Sequence, residues 1–464
     1  MYIESFKVIK LHKIYNYDVK FNKDITILYG ENGSGKTTLL SILESILTAR
    51  IWELFQFDFK KIILKSDVNF SIDILRGVDK ENGLYLEIKI LKDNNEEKSE
   101  RIFQTAITSL NSSRYGSKVD LDDVGLLYPI ISEINRSFND LYLPINRIPF
   151  SFLDEGRTRR KVYQKTDMDI DSSLDYAIEL LTKENRIIES RKNRYNQEFK
   201  NEILLNSLSV SRDNLVDILQ NEEVLDLDKI DSLQEKYLKM LDDLNIPSDQ
   251  NKVELFLSNY KAKIPKITNY LNKETEQDNG EQVVDIMTFF FEASEIMRMK
   301  KVLPIAENLE RRLSDISAKI DKFIKIVNDF FEDSMEKKEI IFDTLGVPYF
   351  KIKGRKEKIK LKYLSSGEKQ IVILFANLIL TNRYSGGNKI FRNIFIADEP
   401  EISLHMLWQM KLIPSILKSR KNLQIILATH SPEIVGEFEN KMFELKKERV
   451  DNERWIETFT SSTS

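Results

Sequence analysis

The eight residues Gly30-Glu31-Asn32-Gly33-Ser34-Gly35-Lys36-Thr37 constrain this chain more than any other stretch. They satisfy the pattern G-x-x-x-x-G-K-[ST] at every fixed position. Such a loop needs a buried strand to deliver it and a helix to lead away. Apolar Ile25-Thr26-Ile27-Leu28-Tyr29 precedes it, and Thr38-Leu39-Leu40-Ser41-Ile42-Leu43 follows with helical character. A strand–loop–helix unit commits this part of the chain to an α/β domain. The glycines let backbone N–H groups curl around phosphate oxygens, Lys36 reaches the β- and γ-phosphates, and the Thr37 hydroxyl suits Mg²⁺. The helix start adds the positive end of its dipole. Gly30, Asn32, Gly33, Ser34, Gly35, Lys36, Thr37 and Thr38 are therefore the expected nucleotide cradle.

The remaining bounds are looser. A length of 464 residues allows two or three domains. Charged residues make up 31% of the chain, above the usual ~25%, which points to long exposed helices. A net charge of −4 provides no global attraction to nucleic acid, so any such surface must be a local basic patch. With no cysteine, disulfides, cysteine-based zinc fingers and thiol catalysis are excluded, and three histidines leave little room for a histidine metal site. The first residues, Met1-Tyr2-Ile3-Glu4-Ser5, lack the apolar region of a secretion signal. The longest apolar stretch, Ile371 to Leu380, falls short of the ~20 residues of a membrane span. A cytoplasmic protein without a membrane partner is expected.

Along the chain, Asp67 to Ile72 and Leu84 to Ile90 read as strands, and Asp79 to Gly83 and Lys92 to Lys98 as polar turns. Another strand is expected at Leu141-Tyr142-Leu143, ended by Pro144. From about residue 170 to 335 glycine and proline almost vanish and the composition turns helical. Val302, Ala306, Leu309, Leu313, Ile316, Ile320, Phe323, Val327 and Phe330 alternate steps of four and three, which is a coiled-coil seam. Pro304 requires this helix to begin close to it. An amphipathic helix packed on a globular body is the other reading of the same spacing. A helix from Leu174 to Leu205 is expected to pair antiparallel with it, as a short arm of roughly 45 Å. After residue 340, Tyr349 to Lys356 and Ile359 to Lys362 form a hairpin, followed by alternating helices and strands. The expected plan is an α/β domain from residues 1–150 and 341–464, split by a helical insertion over 151–340.

Three further motifs carry chemistry. The strand Ile394-Phe395-Ile396-Ala397 ends in Asp398-Glu399-Pro400, where one carboxylate suits Mg²⁺ and the next can polarise a water. Leu364-Ser365-Ser366-Gly367-Glu368-Lys369-Gln370 opens an apolar helix, which by itself is also an ordinary N-cap signal. Gln424-Ile425-Ile426-Leu427-Ala428-Thr429-His430-Ser431-Pro432 is an apolar strand ending in a histidine.

In this order and at these spacings, the four motifs resemble those of ABC-type ATPases over residues 1–150 and 340–445. The wording Asp398-Glu399-Pro400-Glu401-Ile402-Ser403-Leu404-His405 and Ala428-Thr429-His430-Ser431-Pro432 resembles the SMC, RecF and OLD-like branch more than transporters. The resemblance implies ATP and Mg²⁺ as cofactors. Lys36, Glu399 and His430 would be the catalytic groups, with Glu399 as base and His430 as γ-phosphate sensor; Thr37 and Asp398 would be the metal-holding pair. Glu401 to His405 would be the D-loop. It also implies heads that dimerise head-to-tail, Ser365 and Gly367 of one protomer closing on the partner's ATP.

There are departures. No clear glutamine loop is visible, Gln104 being a weak match, and the helical region lacks a zinc hook and a full SMC-length coil. Leu141 to Arg147 resembles the Leu-Pro-x-x-Arg stretch of defence-type ATPases, which would place Arg147 near nucleotide or the head interface. Two basic clusters stand apart from these motifs: Arg157, Arg159, Arg160, Lys161 and Lys165, and the hairpin lysines from Lys351 to Lys362. Each is either a solvated face or a contact for a nucleic-acid backbone or an acidic partner. No Toprim or HNH cluster follows His430 or stands out elsewhere. The plan resembles the ATPase subunits of anti-phage systems of the Septu and PARIS types. That implies a separate HNH or Toprim nuclease, a phage or nucleic-acid trigger, and a homo-oligomer of dimers up to a hexamer. A DNA-repair ATPase acting directly on DNA and a scaffold latched by ATP are the rival readings.

Overall fold

A computed structural model of the chain describes residues 2–93, 95–112, 121–138, 142–145, 170–208, 225–243, 250–271, 280–333, 336–381 and 393–449. The expectations placed on Arg147 and on the cluster from Arg157 to Lys165 lie outside these residues.

The first strands are β1 (Ile3–Leu11), β2 (Tyr15–Lys20) and β3 (Ile25–Tyr29), followed by α1 (Lys36–Leu47). Then come β4 (Lys61–Ser66), β5 (Phe70–Asp79), β6 (Gly83–Lys92) and β7 (Asn95–Phe103). Three short helices follow, α2 (Gln104–Ser112), α3 (Leu121–Leu127) and α4 (Pro129–Phe138), and then β8 (Tyr142–Ile145). The long helical run comprises α5 (Ile170–Leu208), α6 (Leu227–Asp243), α7 (Gln250–Leu271) and α8 (Gly280–Glu332). Next are β9 (Lys338–Phe342), β10 (Pro348–Ile352), β11 (Lys358–Lys360) and α9 (Ser366–Leu380). The chain continues through β12 (Asn393–Asp398), α10 (Met406–Ser419), β13 (Leu423–Ala428), α11 (Pro432–Val435), β14 (Met442–Glu444) and β15 (Glu448–Arg449).

These elements divide into two compact units, one of Met1–Lys183 with Lys322–Ser464 and one of Glu184–Asp321. The division falls inside α5 and α8 rather than at the expected bounds near residues 150 and 340.

The first unit holds three sheets. One runs β15-β2-β1-β4-β5-β6-β7, with antiparallel pairing throughout, and one is the small antiparallel β11-β10-β9. The third runs β14-β3-β13-β12-β8 and is entirely parallel. Strands buried on both faces must be apolar throughout, and β13 is buried at all six positions. The two large sheets close over one core. Phe6, Val8, Ile62 and Ile74 of the antiparallel sheet pack in it with Leu39, Ile42 and Leu43 of α1 and with Ile394, Ile396 and Ile426 of the parallel sheet. The fully buried Gln424 stitches the sheets together. Its carbonyl accepts from Ile3 N at 2.9 Å, and its amide donates to Ile3 O at 2.8 Å and Asn22 O at 3.0 Å.

Several local expectations need correction. Asp67 to Asn69 is a turn, with Asn69 at φ +54°, and the strand begins at Phe70. Lys92 to Lys98 is mostly strand rather than turn. It is polar because β7 is a sheet edge, where Glu96 and Glu97 pair with Lys89 and Lys92 on β6 at 3.0 and 3.4 Å. Pro144 lies within β8, aligned with Ile396, which an edge strand tolerates because one side needs no partner. Pro304 lies well inside α8, a helix of 53 residues, instead of near its start. A proline removes one helical hydrogen bond, and the packing of the rest of the helix outweighs that loss.

The second unit is more than a two-helix arm. Ile230 and Leu233 of α6, Leu257, Tyr260, Ile264 and Ile267 of α7, and Phe289, Ala293, Ile296 and Leu303 of α8 form a core of their own. The Tyr260 and Phe289 rings stack at 5.0 Å. Burial, with Glu292 nearby, pushes the Tyr260 phenol well above its ordinary range. The expected contact between α5 and α8 is present at Arg312, which bonds Glu198 at 2.7 Å and stacks 3.8 Å over the Tyr195 ring. Both readings of the α8 seam hold in part, because its final turns belong to the globular first unit. There Phe330 packs on Phe375 and Trp408, and Phe331 on Phe350 and Trp408.

Candidate nucleotide site

The parallel sheet sets the geometry. Its strand order places β13 between β3 and β12, so the loops leaving all three open at the same edge. Ligands of open α/β sheets bind at that carboxyl edge. The phosphate loop follows β3, Asp398-Glu399 ends β12, and His430 lies just past β13.

Within the loop, Gly30, Gly33 and Gly35 all have positive φ, at +156°, +75° and +100°. At Gly35 a side chain is also sterically barred, since a Cβ would come within 2.6 Å of the Tyr17 hydroxyl. That hydroxyl donates to Ser34 O at 3.0 Å, so β2 pins the loop from beneath. Burial raises the Tyr17 phenol pKa, which keeps the group a donor. The buried Lys36 ammonium rests on Gly30 O at 2.9 Å, Glu31 O at 3.3 Å and Ser34 Oγ at 3.4 Å. Asn32, Gly33 and Thr37 are exposed at the mouth, and Thr38 is half-buried.

Thr37, the second residue of α1, lies beside the Asp398 carboxyl and favours its ionised form. Burial raises the Asp398 pKa. Thr37 and Lys36 oppose that rise, and Glu399 and Glu401 add to it. Asp398 Oδ1 is buried with no hydrogen-bond partner. An orphaned carboxylate oxygen beside a threonine hydroxyl is a hard-oxygen pair that fits Mg²⁺, an ion that takes one or two protein ligands and completes its shell with phosphates and water. Among the described residues no cluster of three or more His, Cys, Asp or Glu side chains is arranged to hold a metal alone.

Glu399 has φ +48°, the left-handed region that a non-glycine residue adopts at a cost of about 1–3 kcal/mol. Its N–H donates to Ala428 O at 2.8 Å, which holds the half-buried side chain just beyond the β12 end. His430 is exposed at the same edge, and His405 caps α10, its Nδ1 accepting from Leu407 N at 3.4 Å.

Sequence reasoning placed Glu401 at the start of the expected D-loop but gave its side chain no role. Its Oε1 accepts from Thr429 Oγ1 at 2.7 Å and from His430 N at 3.0 Å. Its backbone carbonyl accepts from Leu404 N at 2.9 Å. It therefore ties the Glu401–His405 loop to the histidine loop, while its Oε2 is buried without a partner. Gln409 reinforces the junction, with Nε2 2.9 Å from Leu404 O and Oε1 2.7 Å from Ser431 Oγ. A third acid, three positions after Asp398, was the available signal.

Ser365 and Gly367 sit at the start of α9. Ser365 is exposed and forms a reciprocal capping box with Glu368, whose Oε2 accepts from Ser365 N at 2.8 Å. Lys338 pairs with the other Glu368 oxygen at 2.8 Å, both side chains being largely buried. Gly367 is buried against Ser403, where a Cβ would lie only 2.3 Å from the carbonyl oxygen. Gln370 Nε2 donates to Pro400 O at 3.1 Å. The α9 start thus packs on the loop that follows Asp398-Glu399 in its own chain. Gln104 opens α2 with an exposed side chain.

A phosphate loop, an acidic pair at a strand end and a histidine loop on one edge of a parallel sheet define an ATPase of the ABC and SMC-like class. The chain belongs to the AAA ATPase domain family, which it matches over residues 1–435. The retron Ec83 probable ATPase of Escherichia coli is 40% identical over 75 residues, covering 15% of this chain and 14% of that protein. The DNA double-strand break repair Rad50 ATPase of Pyrococcus abyssi is 27% identical over 199 residues, covering 41% and 21%. The Septu protein PtuA of Bacillus thuringiensis is 27% identical over 175 residues, covering 36% and 42%. The matches thus span less than half the length of each of these relatives. Among solved structures, the Pyrococcus furiosus Smc head domain with an extended coiled coil, bound to the C-terminal domain of ScpA, aligns over 97% of this chain and 96% of its own. Identity there is 13% and the TM-score 0.35. The Thermotoga maritima SMC head domain aligns over 97% and 98%, with 11% identity and a TM-score of 0.32. Among the described residues no helix is long and apolar enough to cross a membrane.

Proposed function

We propose that this ATPase is the ATP-binding and hydrolysing subunit of a bacterial anti-phage defence complex, which assembles with and controls a separate nuclease. The observation that carries the hydrolytic part is the shared edge where Lys36, Thr37, Asp398, Glu399 and His430 meet. The similarity to the Septu protein PtuA and to the retron Ec83 probable ATPase supports the defence setting. The unit of Met1–Lys183 with Lys322–Ser464 would be the head, and Glu184–Asp321 the helical insertion.

In the proposed reaction ATP is the substrate. Backbone N–H groups of the Gly30–Thr37 loop and the α1 N-terminus bind its phosphates, and Lys36 moves from the loop carbonyls onto the β- and γ-phosphate oxygens. Thr37 and Asp398 hold Mg²⁺, which when bound neutralises charge on those phosphates. Glu399 accepts a proton from the attacking water. His430 contacts the γ-phosphate, its loop held in register by Glu401. Ser365 of a second copy, presented at the α9 start, closes the site. Gly367 lets that helix approach the loop at Ser403. Heads would then assemble as dimers or rings of dimers up to a hexamer.

Glu399→Gln is expected to retain ATP and to lower steady-state turnover by about 10²- to 10⁴-fold. Unchanged turnover would remove Glu399 from its role. Tagged Glu399→Gln protein purified from its native host is expected to bring down a stoichiometric nuclease, identified by mass spectrometry. Recovery of the chain alone, or with repair proteins and DNA, would replace the defence reading with a DNA-repair one.

A further inference from the structure

The hairpin of β10 and β11 concentrates positive charge against the acidic balance of the whole chain. From Lys351 to Lys362 it carries Lys351, Lys353, Arg355, Lys356, Lys358, Lys360 and Lys362, with Glu357 as the one acid. Its register pairs Tyr349 with Lys360, Phe350 with Ile359 and Lys351 with Lys358. Alternation then sorts the side chains. Phe350 and Ile352 are buried on the inner face, and Tyr349, Lys351, Lys358 and Lys360 share the outer one.

Two features separate this face from an ordinary solvated strand pair. First, Lys351 and Lys358 stand directly opposite each other, an arrangement that opposes folding. Glu339 lies across from Lys351 on β9, with no ion pair formed between them. Second, the cations are largely unpaired. Lys353 meets Glu332 at 3.2 Å and Arg355 meets Glu336 at 3.9 Å, but Lys351, Lys356, Lys358, Lys360 and Lys362 meet no carboxylate among the described residues. Elsewhere in the antiparallel sheets Lys7, Lys61, Lys89 and Lys98 have acidic partners and isolated lysines such as Lys10, Lys20 and Lys65 do not, but no other strand pair gathers unpaired lysines into one patch among the described residues. Lys358 lies over the Tyr349 ring at 4.4 Å, and Lys362 over the Tyr363 ring at 5.0 Å, with Tyr363 71% exposed. Lys358 and Lys360 are successive outward residues of β11, about 6.6 Å apart, and Lys351 stands beside Lys358 on β10, so the ammonium groups form a compact patch next to the exposed Tyr363 ring.

We propose that the β10–β11 hairpin is a docking surface for the phosphate backbone of a nucleic acid. A patch of unpaired lysines fits a polyanion. The exposed Tyr363 adds a stacking face, which a nucleic acid can use and an acidic peptide cannot. Because the hairpin runs into Ser365 within three residues of Lys362, the docked strand would lie beside the α9 start. The inference concerns this chain alone and does not depend on which effector it controls.

The test uses the full chain and a fluorescein-labelled 30-base-pair DNA duplex, with the matching single strand and RNA, read by anisotropy over a NaCl series. The wild type is expected to bind at least one of these at low salt, with an affinity that falls as salt rises. The triple variant Lys351→Gln, Lys358→Gln, Lys360→Gln should bind at least 10-fold more weakly. On duplex DNA its log–log salt slope should be smaller by roughly 2–3. The corresponding triple Lys→Arg variant should bind as the wild type does, and both variants should keep the wild-type thermal midpoint and ATP binding. No binding by the wild type, or an unchanged affinity and slope in the glutamine variant, would overturn the proposal. So would displacement of the duplex by polyglutamate as effectively as by unlabelled duplex.

Discussion

At the scale of single residues, the site is a cluster of acids whose cost to the fold is accepted for its chemistry. Burial raises the Asp398 pKa, with Glu399 and Glu401 adding to it. A carboxyl with a folded pKa above its unfolded value destabilises the fold wherever it is ionised, and that penalty disappears as pH falls through the folded pKa. Asp398→Asn is therefore expected to raise the thermal midpoint near pH 7 while lowering Mg²⁺-dependent turnover about 100-fold or more. Calorimetry and a coupled phosphate-release assay would show the two effects moving in opposite directions. Glu401 holds the histidine loop through one oxygen. Glu401→Gln keeps an acceptor oxygen and should preserve most turnover, whereas Glu401→Ala should lose about 10-fold or more. Equal losses in the two would mean that the charge, not the hydrogen bonds, is what matters.

At the scale of elements, the decisive contact is between the start of α9 and the loop after β12. Gly367 faces Ser403 with no room for a methyl group, and the obstructing atom is a backbone oxygen that cannot rotate away. Gly367→Ala is expected to shift α9 against that loop and to destabilise the protein by about 1–3 kcal/mol, the range for overpacking. Urea unfolding would measure it, and a ΔΔG near zero would show that the loop yields. Glycine was legible here as part of a motif. Its first duty in this chain, close packing against the loop after β12, was not, because it depends on where Ser403 lies. The same holds for β7 and for α8. Charged residues on β7 read as a turn until the edge position explained them, and Pro304 read as a helix start until the packing around α8 outweighed it.

At the scale of the whole molecule, the parallel and antiparallel sheets act as one body, and Gln424 is the polar tie between them. It satisfies both backbone groups of Ile3, a residue 421 positions away in sequence, and a third at Asn22. Gln424→Leu matches the apolar surroundings but strands buried N–H and C=O groups at about 1–3 kcal/mol each. A loss of roughly 3 kcal/mol or more in chemical denaturation is expected, with retained ATP binding below the transition. The second unit has a separate core in α6, α7 and α8, so its unfolding is not tied to Gln424.

The sequence alone displayed the motifs on which the proposed chemistry rests: the phosphate loop, Asp398-Glu399, Ser365 with Gly367, and His430 are short and local. Phosphate binding, metal holding and proton transfer demand particular residue types at fixed local spacings, and local spacing is what a sequence displays. It also determined the alternation of α/β ends with a helical middle, because periodicity is local too. Only the tertiary structure decided that β13 lies between β3 and β12, and that Tyr17 pins Ser34. The same is true of Glu401 holding His430 and of the helical middle having a core of its own. Those facts rest on contacts between residues distant in sequence, and their partners are chosen by how whole elements pack.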